Sequence, residues 1–203
     1  MHVGIFGGSF DPPHIAHSII AETVRSAFDL ELVLWVPTCS PPHKSASKLT
    51  SFAVRLDMVR TAIAHHSEFQ VSDIEESLPP PTYTIRMIQA LRKQYPHARF
   101  SLIIGSDSLA QFHSWSESEM IMNETELVVY PRMEYPINEI RLPKYLLNRV
   151  QCVKAPLISI SGEYVRRRLM EQKSIRYLVL ESVQHYITEH LLYMPVHDGS
   201  KDH

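Results

Sequence analysis

Short apolar runs alternate with longer amphipathic stretches along most of the chain. The runs at 2–6, 32–37, 68–74, 99–104, 127–131 and 151–154 read as strands. The stretches at 14–28, 51–65, 82–94, 106–112, 117–123, 162–172 and 181–192 read as helices. Within 82–94, Ile85, Ile88 and Leu91 fall on one face at helical spacing. Strands alternating with helices imply an α/β fold, a parallel sheet with helices on both faces. Ligands of such sheets bind beyond the carboxyl ends of the strands, where the strand order reverses. The loops after the strands are therefore the places to read for chemistry.

Composition narrows the class. A chain of 203 residues, 44% of them hydrophobic, is long enough to bury one core. One domain over 1–193 is expected, with a polar, frayed tail at 194–203. The net charge of −2 gives no general attraction to nucleic acid or to a membrane surface, so any anion site must be local. Cys39 and Cys152 are the only cysteines and no CxxC occurs, which suits a reducing, cytoplasmic setting. The opening "MHVGIF" lacks the basic and long apolar regions of a signal peptide, and no apolar run is long enough to span a bilayer.

Glycine usage is uneven. Three of the six glycines (Gly4, Gly7 and Gly8) lie in the first eight residues, and 9–104 contains none. Gly105 follows the run "FSLII", and Gly162 opens the helix "EYVRRRLM". Glycine at strand ends and helix starts lets backbone N–H groups approach a ligand closely. Turn geometry alone is the plainer reading for any single one; the clustering weakens it.

The segment "GGSFDPPHIAH" carries the strongest local signal. Asp11-Pro12-Pro13 must break regular structure, so a helix begins near His14. Its first-turn N–H groups lack partners and make a ready anion site. His14 and His17 stand i,i+3 on one helical face, placed to meet the same anion. Either protonated or neutral imidazoles can serve there. Two surface or capping histidines are the bland alternative. Metal ligation ranks low, because HxxxH is the commoner zinc spacing and no HExxH or cysteine partner is near.

Other loops add candidates. Lys44 in "CSPPHK" can bridge phosphates as a mobile charge. Arg55 can anchor a loop, and Thr82 can cap the helix that follows it. In "IIGSDSLAQFHSW", Asp107 can accept from ribose hydroxyls and Trp115 can stack on a flat ring. Ser161 can cap a helix. Arg166, Arg167 and Arg168 crowd its start, where the helix dipole disfavours cations unless an anion compensates.

Taken in order, "GGSFDPPHIAH", "PPHK", "RLDM", "TYT", "IGSDSLAQFHSW", "ISGEYVR", "IRYLV" and "VQHYI" resemble the nicotinate-nucleotide adenylyltransferases, from residue 3 to about residue 193. The resemblance implies a Rossmann-like, doubly wound parallel sheet. It implies adenylyl transfer from ATP, carried with Mg²⁺, to nicotinate mononucleotide, giving deamido-NAD and pyrophosphate in NAD biosynthesis. Residue by residue, it implies that the backbone of Gly7, Gly8, Ser9 and Phe10 cradles phosphates. His14, His17, Lys44 and Arg166 would be the catalytic cationic or donor groups, and Ser161 the start of the Arg166 helix. Gly105 and Asp107 would receive adenosine, and Tyr83, Thr84 and Trp115 nicotinate. No protein-held metal, nucleic acid or membrane partner is implied, and a homo-oligomer is left open. Ala16, Gly162, Glu163, Met133 and Leu180 depart from the family pattern. Rival readings are nicotinamide mononucleotide or phosphopantetheine as acceptor, a non-catalytic nucleotide sensor, and a metal-binding protein.

Overall fold

A computed structural model describes residues 1–40 and 49–195. Six strands form one sheet: β1 (His2–Gly8), β2 (Leu32–Pro37), β3 (Phe69–Val71), β4 (Arg99–Gly105), β5 (Glu126–Tyr130) and β6 (Val150–Cys152). Their order is β3-β2-β1-β4-β5-β6, and every neighbouring pair is parallel. The seven α-helices among the described residues are α1 (Ile15–Ala27), α2 (Phe52–Ile63), α3 (Thr84–Gln94), α4 (Ser106–Gln111), α5 (Ser118–Glu124), α6 (Gly162–Met170) and α7 (Glu181–Glu189). The doubly wound α/β sheet expected from the sequence is therefore present.

The two faces of the sheet carry separate cores. Val3, Ile5, Leu102 and Ile104 pack on one face with α3, α4 and α5 residues such as Ile88, Leu109 and Ile121. Phe6, Val33, Trp35 and Ile103 pack on the other with Ile20 and Val24 of α1 and Val59 of α2. The alternation along each strand is the pleat itself. Met58 of α2 joins α6 and α7 in a third cluster with Val165 and Val183.

Several boundaries differ from the sequence pattern for local reasons. β1 runs on to Gly8 because its ladder to β2 continues through Gly8↔Pro37. The third strand is only Phe69–Val71, and Ile74–Ser77 turns into a 3₁₀ helix that buries Ile74 and Glu75. Thr82 does not cap α3. Tyr83 is the N-cap, and the Thr82 hydroxyl is drawn instead to the buried Glu75 carboxylate at 2.6 Å. Gly4 is not a ligand glycine: a Cβ there would lie 2.7 Å from Leu30 Cδ1 and 3.0 Å from Ile103 Cδ1, so it serves packing.

Ile88 is fully buried at the centre of the α3 face. Ile88→Ala is expected to cost about 2–5 kcal/mol, as for other large-to-small core changes. Urea unfolding should show the midpoint falling with an unchanged m-value.

Candidate active site

The strand order reverses between β1 and β4, so the loops leaving these two strands diverge and open a cleft above them. The cleft has a volume of about 760 Å³. It gathers seven of the sequence-predicted residues: Gly7, Gly8, Tyr83, Thr84, Gly105, Asp107 and Trp115. A Cβ on Gly7 would meet nothing within 4 Å, so that position faces open space. A Cβ on Gly105 would meet the Asp107 carboxylate, so a side chain there would push that carboxylate aside where β4 passes into α4. Tyr83 and Thr84 begin α3, where backbone N–H groups have no helical acceptor. The half-buried Trp115 packs on Phe112 with ring centroids 5.2 Å apart while still lining the cleft. Packing and ligand contact are thus compatible for this indole.

Two buried side chains hold the walls of the cleft. Glu75 accepts from the Cys39 backbone N–H at 2.8 Å and from the Thr82 hydroxyl at 2.6 Å. It ties the end of β2 to the loop before α3, and burial raises its pKa above the usual carboxylate value. Arg55, 1% exposed, donates to the Ser9 carbonyl at 2.7 Å and to the Thr50 carbonyl at 2.9 Å. This anchoring matches the sequence expectation for Arg55. Glu75 was missed, since a glutamate within "SDIEES" carries no sign of burial.

His14 and His17 lie beside the cleft, in a small recess shared with Ala16, Tyr130 and Arg132. His14 is the N-cap of α1, and His17 stands one turn on. Their rings stack, with centroids 3.6 Å apart and planes inclined at 19°. The His14 backbone N–H donates to His17 Nδ1 at 3.0 Å. That nitrogen therefore acts as an acceptor, and the neutral ring carries its proton on Nε2. Phe6, Phe10 and Trp35 surround the His17 ring edge-on, at centroid distances of 6.0, 4.9 and 6.4 Å. Burial pushes the His14 pKa down to about 3, helped by the Arg132 charge. Burial also lowers His17, reinforced by His14 and Arg132. Of the two open readings, neutral donors are the one this environment supports.

Arg132 was also missed by the sequence reading, although its place just after β5 was a usable signal. Its Nε lies 3.7 Å from Asp107 Oδ1, and neither atom has a hydrogen-bond partner among the described residues. The Arg132 backbone N–H donates to Ser106 Oγ at 2.8 Å, which staples the loop after β5 to the start of α4.

A third group forms around Asp11. Arg166 donates to its main-chain carbonyl at 2.5 Å and stands 3.6 Å from its carboxylate. Ser161 caps α6 as expected, its hydroxyl accepting from the Tyr164 N–H at 3.1 Å. A Cβ at Gly162 would lie 2.6 Å from the Asp11 carbonyl oxygen. The glycine that departs from the family pattern thus permits this close approach. The dipole argument for three arginines needs correction: α6 is only nine residues long, so Arg167 and Arg168 fall in its last turn, where cations suit the dipole. The Ser9 and Phe10 backbone leads into this group, with Phe10 held at φ 46° and its ring buried. Lys44 lies outside the described residues. Glu163 is exposed in the first turn of α6, and Ala16 is buried in the recess. No helix among the described residues is long and apolar enough to cross a membrane.

The expectation that the first N–H groups of α1 lack partners needs correction: those of His14, Ile15 and His17 donate to His17 Nδ1, the Leu178 carbonyl and the His14 carbonyl. Fold and site together define a nucleotidyl-transferase type of sheet, with the two histidine rings beside a nucleotide-sized cleft. Residues 5–181 match the cytidylyltransferase-like family. A curated relative in Salinibacter ruber, named as a probable nicotinate-nucleotide adenylyltransferase, is 40% identical over 195 residues, spanning 96% of this chain and 99% of its own. One of the same name in Exiguobacterium sibiricum is 40% identical, spanning 95% and 99%. The chain belongs to the nicotinate-nucleotide adenylyltransferases of the cytidylyltransferase-like family. A solved Plasmodium falciparum nicotinic acid mononucleotide adenylyltransferase in complex with NaAD superposes with a TM-score of 0.75 at 22% identity, over 95% of this chain and 97% of that one, and so shares the fold.

The histidine pair predicts an acid-sensitive fold. Both folded pKa values lie below the unfolded value, so the unfolded chain binds more protons once pH falls below about 6.5. Stability is then lost as pH falls from about 6.5 toward His14's folded value of about 3. Each buried neutral histidine adds up to about 1.4 kcal/mol per pH unit to that slope. Urea unfolding between pH 7.5 and 5.5 should show the decline, and a His14→Asn/His17→Asn double variant should flatten it.

Proposed function

We propose that this protein transfers the adenylyl group of ATP to nicotinate mononucleotide, releasing deamido-NAD and pyrophosphate. The observation that carries the mechanism is the stacked, neutral His14–His17 pair at the start of α1, with the His17 proton on Nε2. The agreement of near-full-length relatives on one activity supports the choice of acceptor.

A phosphate oxygen of the mononucleotide attacks the α-phosphorus of ATP in line. One P–O bond forms as the bond to the β-phosphate breaks, and pyrophosphate leaves with the electron pair. The ionised phosphate is already nucleophilic, so the protein's work is positioning and charge stabilisation. The backbone N–H groups of Gly7, Gly8, Ser9 and Phe10 cradle phosphates. His14 and His17 donate to ATP phosphate oxygens, with His17 on the α-phosphate as its charge develops. Lys44 contacts the reacting phosphates. Arg166, presented by the Ser161-capped α6, grips the β- and γ-phosphates, and Arg132 adds a cation beside the histidines. Gly105 and Asp107 receive adenosine. The N–H groups of Tyr83 and Thr84 take the nicotinate carboxylate, and Trp115 stacks on its ring.

The donor set fits Mg²⁺ arriving with ATP rather than in a cage of protein ligands. No group of three or more His, Cys, Asp or Glu stands together among the described residues, and the Asp11 carboxylate is already engaged. Mg²⁺ bound to the triphosphate would supply charge neutralisation there.

A pyrophosphate-release assay with ATP and Mg²⁺ should show activity with nicotinate mononucleotide. Activity only with phosphopantetheine would sink the reading, and a preference for nicotinamide mononucleotide would revise the acceptor. His17→Ala should lower kcat about 10²-fold or more, on the scale of losing an electrostatic donor; a near-normal kcat removes that role. Trp115→Ala should raise the KM for the mononucleotide more than that for ATP. Equal changes would point to packing alone.

A further inference from the structure

We propose that Tyr193 is a positioning residue for ATP, whose hydroxyl holds the buried Asp11 carboxylate so that Arg166 stays available to the triphosphate. The inference rests on the adenylyl-transfer reading above.

The Asp11 side chain is only 2% exposed. A buried carboxylate must be satisfied on both oxygens. Oδ1 accepts from the Tyr193 hydroxyl at 2.6 Å. Oδ2 accepts from the Thr50 backbone N–H at 3.4 Å and stands 3.6 Å from Arg166 Nη1. The same Arg166 nitrogen donates to the Asp11 main-chain carbonyl. Asp11 thus joins the loop after β1, the segment before α2, α6 and the chain beyond α7. Two of these, the loop after β1 and α6, carry residues assigned to ATP phosphates.

The Tyr193 donor is built in rather than incidental. It reaches Asp11 from 182 residues away in sequence. The backbone is left-handed at both Leu191 and Tyr193, with φ of 49° and 61°. Residues bearing side chains rarely adopt that region, and do so where the surroundings over-determine it. The Tyr193 side chain packs against the cluster formed by α2, α6 and α7, and its hydroxyl also lies 3.9 Å from Met58 Sδ. Burial and the adjacent carboxylate push the phenol pKa far up, so it remains a donor at any working pH.

Without this hydroxyl, Oδ1 is buried with no donor among the described residues. Among the described residues, the cation in ion-pair range of this carboxylate is Arg166. The carboxylate turns toward it, and a closer ion pair holds the guanidinium away from the β- and γ-phosphates. The acceptor nucleotide has no part in this exchange.

Tyr193→Phe keeps the ring and removes only the donor. The expected result is an ATP KM raised about tenfold, with the mononucleotide KM within about twofold of wild type, on the scale of a charge-assisted hydrogen bond. Calorimetric titration with ATP, without acceptor, should show affinity weakened by a similar factor. In an Asp11→Asn background, Tyr193→Phe should add little further loss of ATP affinity. A lower Tm with both KM values unchanged, an equal rise of both, or full additivity in the double variant would each overturn the proposal. If the wild type binds ATP but does not adenylylate the mononucleotide, the adenylyl-transfer reading fails while the ATP titration still decides the role of Tyr193. A wild type that does not bind ATP overturns both.

Discussion

Everything at the site depends on one topological constraint, the reversal of strand order between β1 and β4. The chain leaves β1 toward one face and β4 toward the other. No connection can then cover the gap at their carboxyl ends. The glycine-rich turn, the start of α1 and the start of α4 all meet at this gap. A fully parallel sheet needs helices on both faces to bury it, so the gap lies at the rim of a structure that is otherwise closed.

A rim made of loops needs rigid support, and here buried polar groups supply it. Arg55 fixes the carbonyls of Ser9 and Thr50, and Glu75 fixes Cys39 and Thr82. Asp11 takes Tyr193, Thr50 and Arg166. Each of these charged groups is nearly excluded from water. Each would be costly if unpaired, so every loop is held by the requirement that its partner be satisfied. Desolvation acts differently on His14 and His17. It favours their neutral forms, and the His17 ring is held by the backbone N–H at Nδ1 and by three aromatic rings.

Much of the architecture was legible because each signal was local. Alternating apolar runs marked all six strands, and amphipathic spacing marked all seven helices. Asp11-Pro12-Pro13 marked the start of α1, and Ser161 the start of α6. The departures arose where a distant partner overrode a local preference. Thr82 has the chemistry of a cap, but Glu75 competes for its hydroxyl. Gly4 looked like part of a ligand loop, yet its role follows from Leu30 and Ile103, which only the folded sheet brings near. The arginine run looked misplaced on its dipole because the helix length had been overestimated.

The sequence by itself determined the order of elements, the turn that opens the site and the chemical types gathered near it, since propensity, proline and periodicity act over a few residues. Tertiary structure alone decided which charges are buried, which tautomer His17 adopts and which residue holds Asp11. Those outcomes depend on desolvation and on partners far apart in the chain, such as Tyr193 and Asp11 or Arg132 and the histidines. Neither leaves a mark in any short stretch of sequence.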